Sequence, residues 1–129
     1  MSGREKGGII IPTFFIVDDN RVIHEAYSEL LELKGHKVIG NALNGIECLE
    51  KINNSEKKPD FILMDYRMPE KEGIEVMKEL LEIQPELKVI FVSADESVEK
   101  NALSAGAIMF IKKPFNLQTF YKHIEQLTR

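Results

Sequence analysis

Asp18 and Asp19 stand side by side directly after the apolar run Phe14–Val17, in "TFFIVDDN". Asp65 ends a second apolar run, "DFILMD", and Ser93 follows a third, in "VIFVSA". Lys112 and Lys113 close a fourth, "IMFIKKP". If these runs are neighbouring strands, three carboxylates, a hydroxyl and an ammonium converge on one crevice. Two carboxylates about 5 Å apart repel by roughly 3 kcal/mol at an effective dielectric near 20. Three of them cannot all stay ionised cheaply without a cation, and otherwise at least one pKa must rise. Oxygen ligands without cysteine or a convergent histidine suit Mg2+ or Mn2+ better than Zn2+. A small hard ion beside a lysine makes a pocket for a phosphoryl group. Metal and ammonium share the charge on its oxygens, and the Ser93 hydroxyl can donate to another. A carboxylate can then act as nucleophile and form an aspartyl phosphate. Asp65, alone at its strand end, is the candidate.

The elements that must position these groups are legible in the periodicity. Short apolar, β-branched runs recur at 14–17, 37–41, 61–64, 89–92 and 108–111. The first, third and fourth are apolar throughout, which suits strands covered on both faces of a parallel sheet. Between them lie helical stripes. Val22, Ile23, Ala26, Tyr27, Leu30 and Leu31 form one, with Asn20 placed to cap its start and Gly35 to stop it. Ile46, Leu49 and Ile52 form a second, capped by Asn44. Ile74, Met77, Leu80 and Leu81 form a third, ended before Pro85. Val98, Ala102 and Leu103 form a weak fourth. Leu117, Phe120, Tyr121, Ile124 and Leu127 form a fifth, with Asn116 near its start. Five β-α alternations predict an α/β domain with a parallel sheet and right-handed crossovers. In open sheets of this kind ligands bind beyond the carboxyl ends of the strands. The run 37–41 ends in no comparable group and is expected at an edge.

Bulk properties narrow the class further. A chain of 129 residues fits one domain with a real core. A net charge of -4 argues against non-specific nucleic-acid binding. Cys48 is the sole cysteine, so no internal disulfide or cysteine zinc cluster can form. It falls on an apolar helical face and reads as a small core hydrophobe. No apolar run reaches the roughly 18–20 residues of a membrane span. "GGIIIP" is too short for the apolar core of a secretion signal, so a cytoplasmic protein is expected. Residues 1–12 read as a flexible N-terminal arm, and 13–129 as the domain. His24, His36 and His123 read as helix or turn surface residues without chemistry.

In order and spacing, "FFIVDDN", "FILMDYRMPEKEG", "VIFVSAD" and "GAIMFIKKPF" resemble the receiver domains of two-component response regulators, over residues 13 to about 127. The resemblance implies a flavodoxin-like (βα)5 three-layer sandwich with a five-stranded parallel sheet in the order 2-1-3-4-5. It also implies residue roles. Asp65 would be the phosphoacceptor. Asp19, Asp65 and the backbone carbonyl of Arg67 would hold Mg2+ (or Mn2+), with Asp18 reaching it mostly through water. Ser93, next to Ala94, would bind the phosphoryl group. Lys113 would pair with it in preference to Lys112, because the family lysine directly precedes the proline. The Lys113–Pro114 bond would be cis. Phe110 matches the family's switch aromatic, with plain core packing as the competing explanation. Arg67 and Asp95 flank the site, and their opposite charges could pair across its mouth and hinder the hydrolytic water. Lys71 departs from the apolar residue more usual there.

The implied function is a phosphoacceptor signalling domain. A partner sensor histidine kinase or histidine phosphotransfer protein would phosphorylate Asp65. The surface of helix 4, strand 5 and helix 5 would then bind a downstream protein, and the same face offers a homodimer interface. No turnover substrate, nucleic acid or membrane is expected. None of the three histidines ends a strand, so the phosphohistidine donor belongs to another protein. No output domain follows Leu127, which leaves a stand-alone regulator and a receiver from a longer chain both open. Two other functions compete. A Mg2+-dependent phosphohydrolase with an aspartyl-phosphate intermediate could use "VDDN", but the chain is short and lacks a cap. A receiver-like scaffold that is never phosphorylated would have no need of the full acidic set and Lys113.

Overall fold

The structure, a computed structural model, describes residues 4–6, 9–66 and 73–128. Its main sheet has five parallel strands: β1 (Thr13–Val17), β2 (Lys37–Ala42), β3 (Phe61–Asp65), β4 (Lys88–Ser93) and β5 (Met109–Lys112). Their order is 2-1-3-4-5, with β2 at one edge, as expected. Among the described residues five α-helices alternate with them: α1 (Arg21–Leu33), α2 (Gly45–Asn54), α3 (Gly73–Ile83), α4 (Glu99–Ala105) and α5 (Leu117–Thr128). A 3-10 turn, Glu96–Val98, leads into α4. This is the flavodoxin-like fold.

Strand alternation divides the core into two layers. Phe14, Ile16, Phe61, Leu63, Ile90, Val92 and Ile111 pack with Tyr27 and Leu31 of α1 and Phe120 and Ile124 of α5. Phe15, Val17, Ile62, Met64, Val89, Phe91 and Phe110 pack with α2, α3 and α4 through Cys48, Ile52, Met77, Leu80 and Ala102. The central runs are apolar at every position because both of their faces are covered. Cys48 is fully buried, and that burial pushes its thiol pKa up to about 12, so it is a core group and not a reactive one.

The helix starts follow from their caps. Asn20 Oδ1 accepts from Val22 N at 2.9 Å, Asn44 Oδ1 from Glu47 N at 2.8 Å, and Asn116 Oδ1 from Thr119 N at 2.7 Å. The helix faces are rotated from the expected stripes. In α1 the buried residues are His24, Tyr27 and Leu31, while Val22 is 70% exposed. In α2 Cys48 points inward and Ile46 is exposed. Leu103 and Leu117 are exposed as well. The caps fix where each helix begins, but the tilt against the sheet decides which neighbouring residue faces in. The arm also carries a feature its sequence did not suggest. Arg4–Lys6 and Ile9–Ile11 pair as a two-stranded antiparallel ladder, separate from the main sheet.

The end of the sheet away from the acidic residues is locked by a reciprocal polar pair. Asp60 Oδ2 accepts from Thr13 N at 2.8 Å and from Thr13 Oγ1 at 3.2 Å, and Asp60 N donates to Thr13 Oγ1 at 3.1 Å. Both residues are buried. Asp60→Ala leaves the Thr13 amide without its acceptor. It should lower stability by about 2–3 kcal/mol, the usual loss for a buried hydrogen bond to a charged group, as read by urea unfolding.

Candidate functional site

Parallel register lines up the strand ends. Val17 lies opposite Met64, Asp65 opposite Val92, and Ser93 opposite Lys112. Asp18, Asp65, Ser93 and Lys113 therefore emerge on one rim, on four adjacent strands. Lys113 N donates to Ser93 O at 2.9 Å, which carries the ladder one step past β5. The Lys113–Pro114 peptide bond is cis. Among the described residues, one carboxylate oxygen from each of Asp18, Asp19 and Asp65 lies within 4.8 Å of the others. Lys113 Nζ sits 3.8 Å from Asp65 Oδ1 and 4.0 Å from Asp18 Oδ2. Lys112 points elsewhere and pairs with Glu96 on the 3-10 turn. The geometry thus separates the two lysines that residue type alone could not.

Each carboxylate sits in a different environment. Asp18 is 2% exposed, Asp65 is half-buried and Asp19 is exposed. Asp18 Oδ1 accepts from Asn20 N at 2.9 Å, and Asp18 N donates to Ala42 O at 3.1 Å. Its Oδ2 is buried and finds no hydrogen-bond partner among the described residues. Burial pushes the Asp18 pKa up, and the charge of Asp19 adds to this; the Asn20 amide, Lys113 and His24 pull it down. Burial, with the charges of Asp18 and Asp65, also holds the Tyr27 phenol well above its usual pKa. An orphaned buried oxygen facing two further carboxylates fits a hard divalent cation. Asp18, Asp19 and Asp65 are the described residues that could hold one.

An open cleft of about 320 Å³ beside the acidic group is lined by Asp65, Ser93, Ala94, Asp95 and Lys113. Ser93 is buried, and its Oγ accepts from Asp95 N at 3.1 Å. That leaves the hydroxyl proton for an acceptor in the cleft. Asp95 Oδ1 caps the 3-10 turn, accepting from Ser97 N at 3.0 Å. Phe110 lies in the α2–α4 layer at 8% exposure. Arg67, expected to offer its carbonyl to the ion and to pair with Asp95, lies outside the described residues, as does Lys71.

The histidine reading needs correction. His24 is not a surface residue: it is 6% exposed, and its Nε2 lies 2.6 Å from the Asp18 carbonyl oxygen. His36 is half-buried, its ring centroid 5.4 Å from that of Phe14, and burial lowers its pKa. His123 is half-buried, with Nδ1 shielded and without a hydrogen-bond partner among the described residues. The spacing that could have found His24 was present. It lies four residues after the cap Asn20, on the side of α1 that carries Tyr27 and Leu31.

Asp18 also sets an expectation for pH dependence. A carboxyl whose pKa is raised by folding binds its proton more tightly in the folded state. Its contribution to stability is full below the unfolded pKa and is lost as pH rises through the folded value. Asp18→Asn should therefore raise the melting temperature of the metal-free protein at pH 7 by about 3–5 °C, roughly 1 kcal/mol for a domain of this size. The gain should shrink toward the ordinary carboxylate range near pH 4. Added Mg2+ should raise the melting temperature of the wild type far more than that of Asp18→Asn. Thermal scans across pH, with and without Mg2+, check all three.

Comparison with known proteins covers the same stretch. The family pattern of the response regulator receiver domain matches residues 14–125. The chain is 40% identical over 102 residues to the chemotaxis protein CheY of Thermotoga maritima, covering 78% of this chain and 83% of that protein. It is 37% identical over 102 residues to CheY of Bacillus subtilis, with the same coverage. Among solved structures, a CheY-like receiver domain protein from Methanospirillum hungatei superposes with a TM-score of 0.81 at 30% identity, covering 92% of this chain and 94% of that one. A CheX–CheY–BeF3–Mg2+ complex from Borrelia burgdorferi gives a TM-score of 0.83 at 27% identity, covering 93% and 90%. No helix among the described residues is long and apolar enough to cross a membrane. Sequence pattern, relatives and sheet topology coincide along nearly the whole chain, and the protein belongs to the response regulator receiver domain family.

Proposed function

We propose that this receiver domain takes a phosphoryl group onto Asp65 from a phosphohistidine of a partner kinase or phosphotransfer protein, with Mg2+ in the acidic group. The observation that carries this reading is the Lys113 ammonium, set within 4.0 Å of two of three clustered carboxylates. In the transfer, an Asp65 carboxylate oxygen forms a bond to phosphorus while the phosphorus–nitrogen bond of the donor breaks. The leaving imidazole keeps the electron pair and takes up a proton. Lys113 pairs with one phosphoryl oxygen, and the Ser93 hydroxyl donates to another. Asp18 and Asp19 hold the cation, which when bound draws charge from the phosphoryl oxygens. The Mg2+ and BeF3 in the Borrelia CheY complex support the same assignment here.

The target-binding surface lies on α4, β5 and α5. Leu103, Ile108 and Leu117 are exposed apolar residues on or beside these elements. A switch there couples through Ser93 on β4 and Phe110 on β5, which leads directly to Lys113. Receiver domains are signalling modules rather than enzymes with a turnover substrate, so the phosphohydrolase reading is set aside. The test is incubation with acetyl phosphate and Mg2+, followed by intact mass. One added phosphoryl group is expected, removable by hydroxylamine and absent when EDTA replaces Mg2+. No added mass with Mg2+ present would overturn the reading.

A further inference from the structure

We propose that His24 is a positioning residue for the cation site, holding the main chain of Asp18 so that the acidic loop is already in place before an ion arrives. The inference rests on the cation reading above and adds a residue to it. Four polar groups belong to Asp18, and three are tied. Its amide donates to Ala42 O, its Oδ1 accepts from Asn20 N, and its carbonyl oxygen meets His24 Nε2 at 2.6 Å. Among the described residues only Oδ2 lacks a hydrogen-bond partner, and it is the oxygen that faces Lys113.

The loop has reason to need the tie. Asp18, Asp19 and Asp65 repel one another across 4.8 Å or less, and without an anchor that repulsion would splay the β1–α1 loop outward. An ion would then have to close the loop at a loss of affinity. His24 reaches the loop because helical side chains point back toward the N-terminus, over the turn before their own. Its ring is buried and cannot swing into water. A carbonyl oxygen only accepts, so Nε2 must carry a proton. The tie is therefore a directed hydrogen bond and not packing alone.

Isothermal titration of the full chain with Mg2+ and electron spin resonance with Mn2+ test the proposal, on wild type, His24→Leu, His24→Gln and Asp19→Asn. His24→Leu removes the donor and should weaken Mg2+ binding about 10-fold or more, the usual range for residues that orient metal ligands. His24→Gln keeps an N–H and should stay within about threefold of wild type. Asp19→Asn should lose most binding whatever His24 does. Side-chain nitrogen NMR of the wild type gives a reading that does not depend on any variant folding. His24 should carry its proton on Nε2, with slow exchange against solvent. Unchanged affinity in His24→Leu, equal losses in the Leu and Gln variants, or an Nδ1–H tautomer would each overturn the role of His24 alone. A wild type that binds no Mg2+, or that matches Asp19→Asn, would overturn the cation reading and this inference with it.

Discussion

Asp65→Asn should take up no phosphoryl group from acetyl phosphate while keeping its fold. The amide offers no anionic oxygen to phosphorus, and neither neighbour can take its place. Asp18 is buried, with Oδ1 committed to Asn20 N, and its buried Oδ2 does not line the cleft. Asp19 is exposed and does not line the cleft that Ser93 and Lys113 share. Asp65 both lines that cleft and faces the ammonium. Intact mass after incubation with Mg2+ should show labelling at background. Circular dichroism should show the wild-type helix content, because Asp65 is the last residue of β3 and its backbone pairing does not depend on its side chain. Labelling that survived the change would move the nucleophile to Asp18 or Asp19.

Lys113→Ala should produce two effects of opposite sign. Phosphoryl uptake should slow by about 10²–10³-fold, the scale of losing one preorganised donor to a developing oxyanion. Mg2+ affinity should rise several-fold instead. In the metal-free protein the ammonium sits 3.8 and 4.0 Å from two carboxylates and competes for the same negative charge. A lysine that merely supported the fold would lower both. Lys112→Ala serves as the control and should leave both within about twofold, since Lys112 is exposed and pairs with Glu96. Stopped uptake assays and Mg2+ titration on the two variants separate the outcomes.

Much of the fold was legible because its strands are buried on both faces. Phe14–Val17, Phe61–Met64 and Val89–Val92 carry no polar position, and that is the mark of a parallel interior. The caps Asn20, Asn44 and Asn116 were readable because their chemistry is local, a side-chain oxygen bonding an amide two or three residues on. The phases of the helices were not local. Val22 and Ile46 belong to plausible apolar stripes, yet both are exposed, and α1 is turned so that His24 faces inward; Cys48 is buried as its position on an apolar face implied. His24 misleads because a polar ring is expected outside unless a partner is known, and its partner is a main-chain carbonyl that no residue type announces. The choice between Lys112 and Lys113 needed either the resemblance or the distances, since alternation along a strand end does not say where pairing stops. The ladder of Arg4–Lys6 with Ile9–Ile11 was not legible because its first strand, Arg-Glu-Lys, carries no apolar or β-branched signal.

The two walls of the cleft beside Asp65 are anchored by different amounts of buried side chain. On one side, Phe115 follows Lys113 and Pro114 directly and stacks on Phe120 at 5.4 Å, which stacks in turn on Tyr27 at 5.8 Å. Lys34 lies 4.7 Å above the Tyr121 ring, which ties the far end of α1 to α5 as well. Lys113 thus stands on a girder that joins two long helices. On the other side, the 3-10 turn has no fully buried residue and only Val98 packs part-buried against the core, while the seven-residue α4 has Ala102 as its one fully buried residue, before Gly106 reverses the chain at φ 124°. Strain entering the cleft should therefore be relieved first on the α4 side, where fewer buried side chains resist it.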